Sequence, residues 1–524
     1  MHQLRRNVFI YLRRHYKYGI LLLVNISLLL FNIWILTNTS SVKSSNTKKL
    51  SLEVIEHEYY KTLDDYEKGV HLRPQPIYAE EKNEPFEKDK TRIDEVYTQA
   101  QHKYKVPLKY DYSERSSYIV PSIEHQGTIK CSRVMKNDEQ EINKAESLHI
   151  ERPGKIPVPL ETYQWWLSRC KDFRRARGYV EVATEQEEKW PLAFSLSIYR
   201  DFEQAERLLR AIWRPHNIYC IHIDVKSPLI FHRTVRALAK CFDNVFIASH
   251  LDKIKWGDVS VLLPDINCMR DLIRYYRGRW KYFINLTGQE FPLRTNYELA
   301  RIAEIFNGSN DIAGSLSRME MDRVIHKWGH RWSITYQQMI FYDTFEQKTQ
   351  FYENVTFYKG EMHGLFSHNF VKYVVESKIG IDYLNWCKDT GHPSEHYYNV
   401  LNYNKYLNAP GGYYGNSKLA DNYSYNLAIR LKLWNSGRHY GGRDCLGRYV
   451  RGICHFGIKD VPWLVTRPEM FMNKFNLTYK WYGYECLEEW HRERTKLMDK
   501  VDFDDRYYKS LPTVKYARKD GLPN

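Results

Sequence analysis

From about residue 190 onward, short apolar runs alternate with stretches in which apolar residues return every three to four positions. AFSLSIY (193–199) predicts a strand and DFEQAERLLRAI (201–212) a helix. NIYCIHID (217–224) predicts a second strand, FHRTVRALAKCF (231–242) a helix, and NVFIAS (244–249) a third strand. LLPDINCMRDLIRYY (262–276) reads as a helix and KYFINLT (281–287) as a fourth strand. A β-α-β-α rhythm of this kind predicts an α/β domain with a mostly parallel sheet covered on both faces. Ligands of such sheets bind beyond the carboxyl ends of the strands.

The amino-terminal third reads differently. Residues 19–36, GILLLVNISLLLFNIWIL, form an uncharged apolar run preceded by Arg5, Arg6, Arg13, Arg14 and Lys17. At 1.5 Å rise per residue the run covers about 27 Å, enough for a thin bilayer. A cleaved signal peptide is the alternative, but no small-x-small pattern follows Leu36. The positive flank keeps 1–18 cytosolic, so the expectation is a single-pass type II signal-anchor with the remaining chain in the lumen. The short span suits the Golgi membrane. Residues 37–127 are polar and charged and lack apolar periodicity, which reads as a stem. A folded domain is expected over 128–497, with a polar tail over 498–524.

The chain has 524 residues, a net charge of +15 and 42 tyrosines. Its basic residues are dispersed, which argues against a nucleic-acid binder. Nine cysteines, Cys131, Cys170, Cys220, Cys241, Cys268, Cys387, Cys445, Cys454 and Cys486, all lie after the stem and form no CxxC pair. In a lumenal domain they predict disulfides with an odd cysteine free. Sequons at Asn307, Asn354, Asn422 and Asn476, with Asn38 near the membrane, fit that compartment. Asn285 sits inside an apolar run and is expected to be buried.

Two carboxylates stand out. Asp224 follows the strand NIYCIHID, where an Asp is either a turn or cap residue or a partner for a nucleotide's base or ribose. Glu395, in HPSEHYYNVLN, stands at the start of an expected helix with Ser394 as its cap. The helix dipole is a sufficient reason for a glutamate there, and a proton-accepting role is the alternative.

PLAFSLSIYRDFEQAERLLRAIWRPHNIYCIHID, CFDNVFIAS, INCMRDL, WKYFINLTGQEFPLRTN, CHFGIKDVPWL and MFMNKFNLTYKWYGYECLEEWHRER occur in order between about Cys131 and about Arg494. Together they resemble the core-2/I-branching β1,6-N-acetylglucosaminyltransferase family, whose broader family includes peptide O-xylosyltransferases. The resemblance implies a GT-A type glycosyltransferase domain. It also implies inverting transfer from a UDP-sugar, typically UDP-GlcNAc, to a hydroxyl of an O-glycan. It further implies the pairs Cys131–Cys486, Cys170–Cys241, Cys220–Cys268 and Cys445–Cys454, leaving Cys387 free. The cysteine that the family's leukocyte-type members carry in their equivalent of INLTG is Thr287 here.

Inverting transfer needs a base for the incoming hydroxyl and compensation for charge growing on the diphosphate. Many GT-A enzymes hold a metal with Asp-x-Asp after a strand, whereas this strand ends His222-Ile223-Asp224. The clear Asp-x-Asp, Asp502-Phe503-Asp504, lies in the expected tail and reads as solvated surface. No metal cofactor is therefore expected. The positions matching the family's diphosphate-binding cations are Arg451 in RYVRGICHFG and Lys474 in FMNKF; a surface Arg and Lys is the alternative. DTGHPSEHYYNVLN matches the segment that carries the family's catalytic glutamate, which makes Glu395 the base that takes the proton from the acceptor's O6. Ser394 stands where the family often has Asp.

The acceptor half departs from the pattern. Ala313, in GSNDIAGSL, takes the place of a galactose-binding glutamate. Trp434 matches an acceptor-binding aromatic, but its companion tyrosine is Ser436, and KGEMHG (359–364) resembles its Gly-Ser-Ala-Tyr segment only loosely. His326, Lys327 and Trp328 are candidates for a replacement site or for loop surface. The expectations are thus a membrane-bound transferase with a changed acceptor, one using UDP-glucose or UDP-xylose, or a glycan-binding protein with a decayed site.

Overall fold

The computed structural model describes residues 128–151, 154–155, 157–335, 338–415, 427–435 and 443–519. The expected membrane segment and stem, with Asn38, Asn422 and Ser436, lie outside the described residues. Among the described residues no helix is long and apolar enough to cross a membrane.

The four expected strands form within a residue or two of their sequence bounds: β1 (Leu192–Ile198), β2 (Ile218–Ile223), β3 (Val245–Ile247) and β4 (Tyr282–Thr287). They run parallel in the order β3-β2-β1-β4. Alternation of side chains divides them between two cores. Phe194, Leu196, Ile198, Ile284 and Leu286 pack on one side with the helices Phe202–Ile212 and Asn296–Phe306. Ala193, Cys220 and Phe283 pack on the other with the helices Leu263–Tyr275 and His368–Glu376. Burial on both faces is why these strands read as near-continuous apolar runs.

Five more short strands follow in the chain: β5 (Glu290–Pro292), β6 (Asp311–Ile312), β7 (His326–Ser333), β8 (Gln338–Gln347) and β9 (Gly364–Ser367). β9 pairs antiparallel with both β4 and β6, so the six-stranded sheet is mixed. A four-residue strand that is buried throughout carries no alternation to reveal it. β7 and β8 form an antiparallel hairpin that the sequence reading did not anticipate. β10 (Arg430–Lys432) and β13 (Phe471–Asn473) are parallel neighbours, and β5 joins β13 antiparallel in a second sheet. Between them β11 (Arg448–Val450) and β12 (Ile453–His455) form a tight hairpin.

Among the described residues four disulfides form, with the pairing that the resemblance implied. Cys131–Cys486 joins residues 355 apart and ties the start of the domain to the helix Tyr482–Lys496. Cys170–Cys241, Cys220–Cys268 and Cys445–Cys454 are the others. Cys387 is buried and free, and burial pushes its thiol well above the usual range.

The stretch after residue 497 corrects the expectation of a polar tail. Helices Arg506–Ser510 and Pro512–Arg518 pack onto the first core through buried Tyr508, Leu511 and Val514. Tyr508 Oη donates to Pro468 O at 2.6 Å and accepts from Arg294 Nε at 2.8 Å. Asp502 and Asp504 remain exposed, and Asp504 pairs with Arg506.

Candidate active site

The carboxyl ends of β1 and β2 open the site. Asp224 follows β2 directly; its N–H donates to Ile198 O at 3.1 Å, which joins the two strand ends. Its Oδ1 accepts from Lys226 N at 2.9 Å, an Asx turn, and its Oδ2 lies 3.4 Å from Lys226 Nζ. Ser227 Oγ donates to Tyr199 O at 3.0 Å, so Tyr199 and Arg200 lie against the Asp224 loop. The next helix, Leu229–Lys240, is entered from Pro228, so Asp224 shapes a turn and caps no helix.

Lys474 follows β13 and Arg451 lies in the turn between β11 and β12. That turn places both central residues at positive φ, Arg451 at 50° and Gly452 at 81°, as a two-residue hairpin favours. Phe456 N donates to Lys474 O at 3.0 Å, which sets Lys474 beside the end of β12. Burial, then repulsion from Lys432, with Arg200 and Arg451 adding to it, pushes the Lys474 ammonium below the usual lysine value against the pull of Glu290. The imidazole of His455 is driven down to about 4 by burial, then by Lys474, Arg448 and Arg200. This corner is therefore strongly positive. Among the described residues neither Lys474 nor Arg451 forms an ion pair with a carboxylate of the chain.

Glu395 sits in a single 3-10 turn, Pro393–Glu395, entered from His392 at φ 49°. The α-helix begins only at Tyr397, and Ser394 caps neither element, contrary to the sequence expectation. The carboxylate pairs with Arg323 and lies 3.3 Å from Lys359 Nζ. Glu320 joins both cations, at 2.7 Å from Arg323 and 2.9 Å from Lys359. Gly360 N donates to Glu395 O at 2.6 Å, which fixes the turn against the 359–361 segment. The Glu395 side chain keeps about a third of its surface exposed, 35%.

A buried polar chain fills the space between these corners. Glu361 pairs with Lys432 of β10, and Lys432 Nζ lies 3.0 Å from His363 Nδ1. His363 Nε2 is 3.3 Å from Glu290 Oε1, and Glu290 also accepts from Asn473 Nδ2 at 2.8 Å. Burial would raise the Glu290 carboxyl, but Arg430 and His363 hold it at about 2. Arg430 is itself fully buried, 3.4 Å from Glu290. Lys474, next after Asn473, is thus linked through Glu290, His363, Lys432 and Glu361 to the segment that holds Glu395. This chain was not singled out from sequence; only KGEMHG, noted as an odd segment, pointed near it.

Trp434 follows β10, is bridged to Ile453 and is 45% exposed beside the hairpin that carries Arg451. Ala313 lies on the other side, its carbonyl accepting from Asn399 Nδ2. His326 and Lys327 are paired within their own hairpin, to Asp343 and Glu346. Trp328 instead covers Gly391, where an added Cβ would meet its ring at 2.6 Å, and so it abuts the Glu395 turn. Asn307 and Asn354 are exposed and Asn476 half-buried, whereas the Asn285 amide is buried and donates to Asp265 and Met362 O.

A family profile described as Core-2/I-Branching enzyme matches residues 192–465, a span that begins at β1 and ends after Cys454. The chain belongs to the core-2/I-branching enzyme family. The human N-acetyllactosaminide beta-1,6-N-acetylglucosaminyl-transferase (Homo sapiens) is 34% identical over 372 residues, 70% of this chain and 89% of the relative. Human beta-1,3-galactosyl-O-glycosyl-glycoprotein beta-1,6-N-acetylglucosaminyltransferase 3 is 30% identical over 374 residues, 70% and 83% of the two chains. The mouse form 4 (Mus musculus) is 32% identical over 366 residues, 69% and 78%. As a core-2/I-branching enzyme this protein is a glycosyltransferase, with a mixed α/β sheet as its core.

Proposed function

We propose that this core-2/I-branching enzyme is an inverting, metal-independent β1,6-N-acetylglucosaminyltransferase that takes GlcNAc from UDP-GlcNAc and adds it to an O-glycan. The observation that carries the reading is the positive corner at Lys474 and Arg451, where, among the described residues, neither cation forms an ion pair with a carboxylate of the chain. A cation group pushed together by the fold is a site for an anion, and a diphosphate supplies that charge. The relatives named above are all β1,6-N-acetylglucosaminyltransferases, which favours the same donor and linkage.

In this reading the acceptor's primary hydroxyl attacks the anomeric carbon of the donor. Its proton passes to Glu395 as the new C–O bond forms. The bond from the anomeric carbon to the diphosphate breaks on the opposite face, which inverts the centre. The released UDP carries the electron pair, and Lys474 and Arg451 stabilise that charge as it develops. Asp224 lies at the strand end where the nucleoside half binds. Arg323 and Lys359 hold the Glu395 carboxylate in place, and Trp434 offers an apolar face to the acceptor. Two cations then perform the charge compensation that a divalent ion performs in other enzymes. The type II Golgi anchor at 19–36, with the domain in the lumen, belongs to the same reading and places the enzyme with secreted glycoproteins.

The test is transfer from UDP-GlcNAc to a β1,3-galactosyl O-glycan and to an N-acetyllactosamine chain, each in excess EDTA. Transfer that persists in EDTA and is lost in Glu395→Gln supports the proposal. UDP-glucose or UDP-xylose used in preference would reassign the donor. Absence of both transfer and UDP binding would leave the decayed, glycan-binding alternative.

A further inference from the structure

By the resemblance, Ala313 stands where the family carries an acceptor-binding glutamate. The structure places another one across the strand pairing. Asp311 and Ile312 of β6 face Leu365 and Gly364 of β9, and Ser315 is bridged to Lys359. Residue 313 therefore lies opposite the 360–363 segment. An added Cβ at Gly360 would meet Ala313 O at 2.7 Å, which shows how closely the two chains approach.

Glu361 stands in that segment, two residues beyond Lys359. Lys359 Nζ lies 3.3 Å from the Glu395 carboxylate, so the segment runs along the Glu395 turn. The Glu361 carboxylate is 24% exposed, and Lys432 and His363 hold it from behind. Burial would raise its pKa, but Lys432 and then His363 keep it well below the usual carboxylate range, so it stays an acceptor. Lys432 is one alternation before Trp434, which puts the pair on the aromatic's side of β10. Glu361 thus follows Gly360, whose N–H donates to the Glu395 carbonyl, and is paired with Lys432, two residues before Trp434.

We propose that Glu361 is a specificity-determining residue of the acceptor site, accepting hydrogen bonds from ring hydroxyls of the acceptor pyranose in place of the carboxylate that position 313 lacks. The inference rests on the reading of Glu395, Arg451 and Lys474 given above. In a hexopyranose that attacks through its C6 hydroxyl, the nearest ring hydroxyl is on C4. That hydroxyl is the group Glu361 meets. Lys432 and His363 are positioning residues that fix the carboxylate and its charge.

The experiment compares the full-length protein with Glu361→Gln on an acceptor and on its 4-deoxy analogue, with UDP affinity measured alongside by calorimetry. A hydrogen bond to a charged group is worth roughly 10- to 100-fold in kcat/KM. The wild type is expected to prefer the intact acceptor by that factor. Glu361→Gln should lose the preference through acceptor KM while its UDP affinity stays within a few fold. The double variant Glu361→Gln with Lys432→Met removes both charges and leaves no orphaned ammonium; the same loss of preference is expected. Retained preference for the 4-hydroxyl in a folded variant overturns the proposal, as does a parallel fall in UDP affinity. A wild type that neither binds UDP nor transfers overturns the underlying reading and this inference with it.

Discussion

Two clusters of buried charge occupy this domain, and they differ in how they are balanced. Between the helices Phe202–Ile212 and Tyr482–Lys496, every buried cation has its carboxylate. Arg177 pairs with Glu206, and Arg207 lies 2.9 Å from Glu203 and 3.1 Å from Glu488. Arg210 shares Glu488. Burial opposes ionisation of Glu203 and Glu488, yet the arginines hold both at about 2. At the candidate site burial, then the like charges of Lys432, Arg200 and Arg451, lower the Lys474 pKa, and the nearby Glu290 offsets only part of the fall. The first cluster is complete within the chain and acts on stability. In the second, Lys432 has Glu361, but among the described residues Lys474 and Arg451 form no ion pair, which suits the diphosphate site proposed above.

The largest effect expected is on chemistry. Glu395→Gln should lower transfer by about 10²- to 10⁴-fold, the usual worth of a positioned base. Its melting temperature should stay close to the wild type, because the carboxylate is partly exposed. A steady-state assay beside a thermal melt checks both.

Arg207→Met tests the balanced cluster. Removing one partner of a buried ion network costs about 3–5 kcal/mol. Here Glu203 and Glu488 each lose a partner but keep Lys155 and Arg210, which puts the expected loss at the lower end. Chemical denaturation should show that loss, while the folded fraction keeps its KM values. A melting temperature unchanged by this variant would show that the balanced cluster carries no stability.

Lys474→Met should have the opposite profile. Folding makes protonation of Lys474 harder, so the charged side chain subtracts from stability at neutral pH. The variant should melt at the same or a higher temperature, yet bind UDP about 10-fold or more weakly. Destabilisation by this change would erase the contrast between the clusters.

The smallest effects are on pH dependence. Because the Lys474 pKa is lowered, UDP affinity should decline as pH rises before the ordinary lysine value of about 10.4 is reached. Stability should respond at the acid end. Glu203 and Glu488 have depressed folded values, so their contribution is full above the ordinary glutamate value of 4.5 and is lost as pH falls toward about 2. Arg207→Met should flatten that acid loss in a pH-dependent melt.

The legible parts of this protein were those set by local pattern. β1, β2, β3 and β4 announce themselves because parallel strands buried on both faces are short uninterrupted apolar runs between amphipathic helices. The disulfide pairing came through resemblance, since cysteine spacing alone fits many connectivities. Short buried β6 and β9 gave no periodic signal. The helices after residue 505 hide because their three core contacts, Tyr508, Leu511 and Val514, are scattered among polar residues. Within the candidate site, Glu395, Arg451 and Lys474 were singled out through matched segments. Arg323, Lys359, Glu361, Lys432 and His363 were not, because they come together from separate elements and each reads locally as a solvated side chain.

The central claim is that side-chain cations, and not a divalent ion, balance the nucleotide's diphosphate. Calorimetric titration of UDP into the wild type, Lys474→Met and Arg451→Met, with and without EDTA, tests it most directly. The account predicts wild-type affinity indifferent to EDTA and weakened about 10-fold or more by each substitution. Affinity abolished by EDTA, or unaffected by both substitutions, would contradict it.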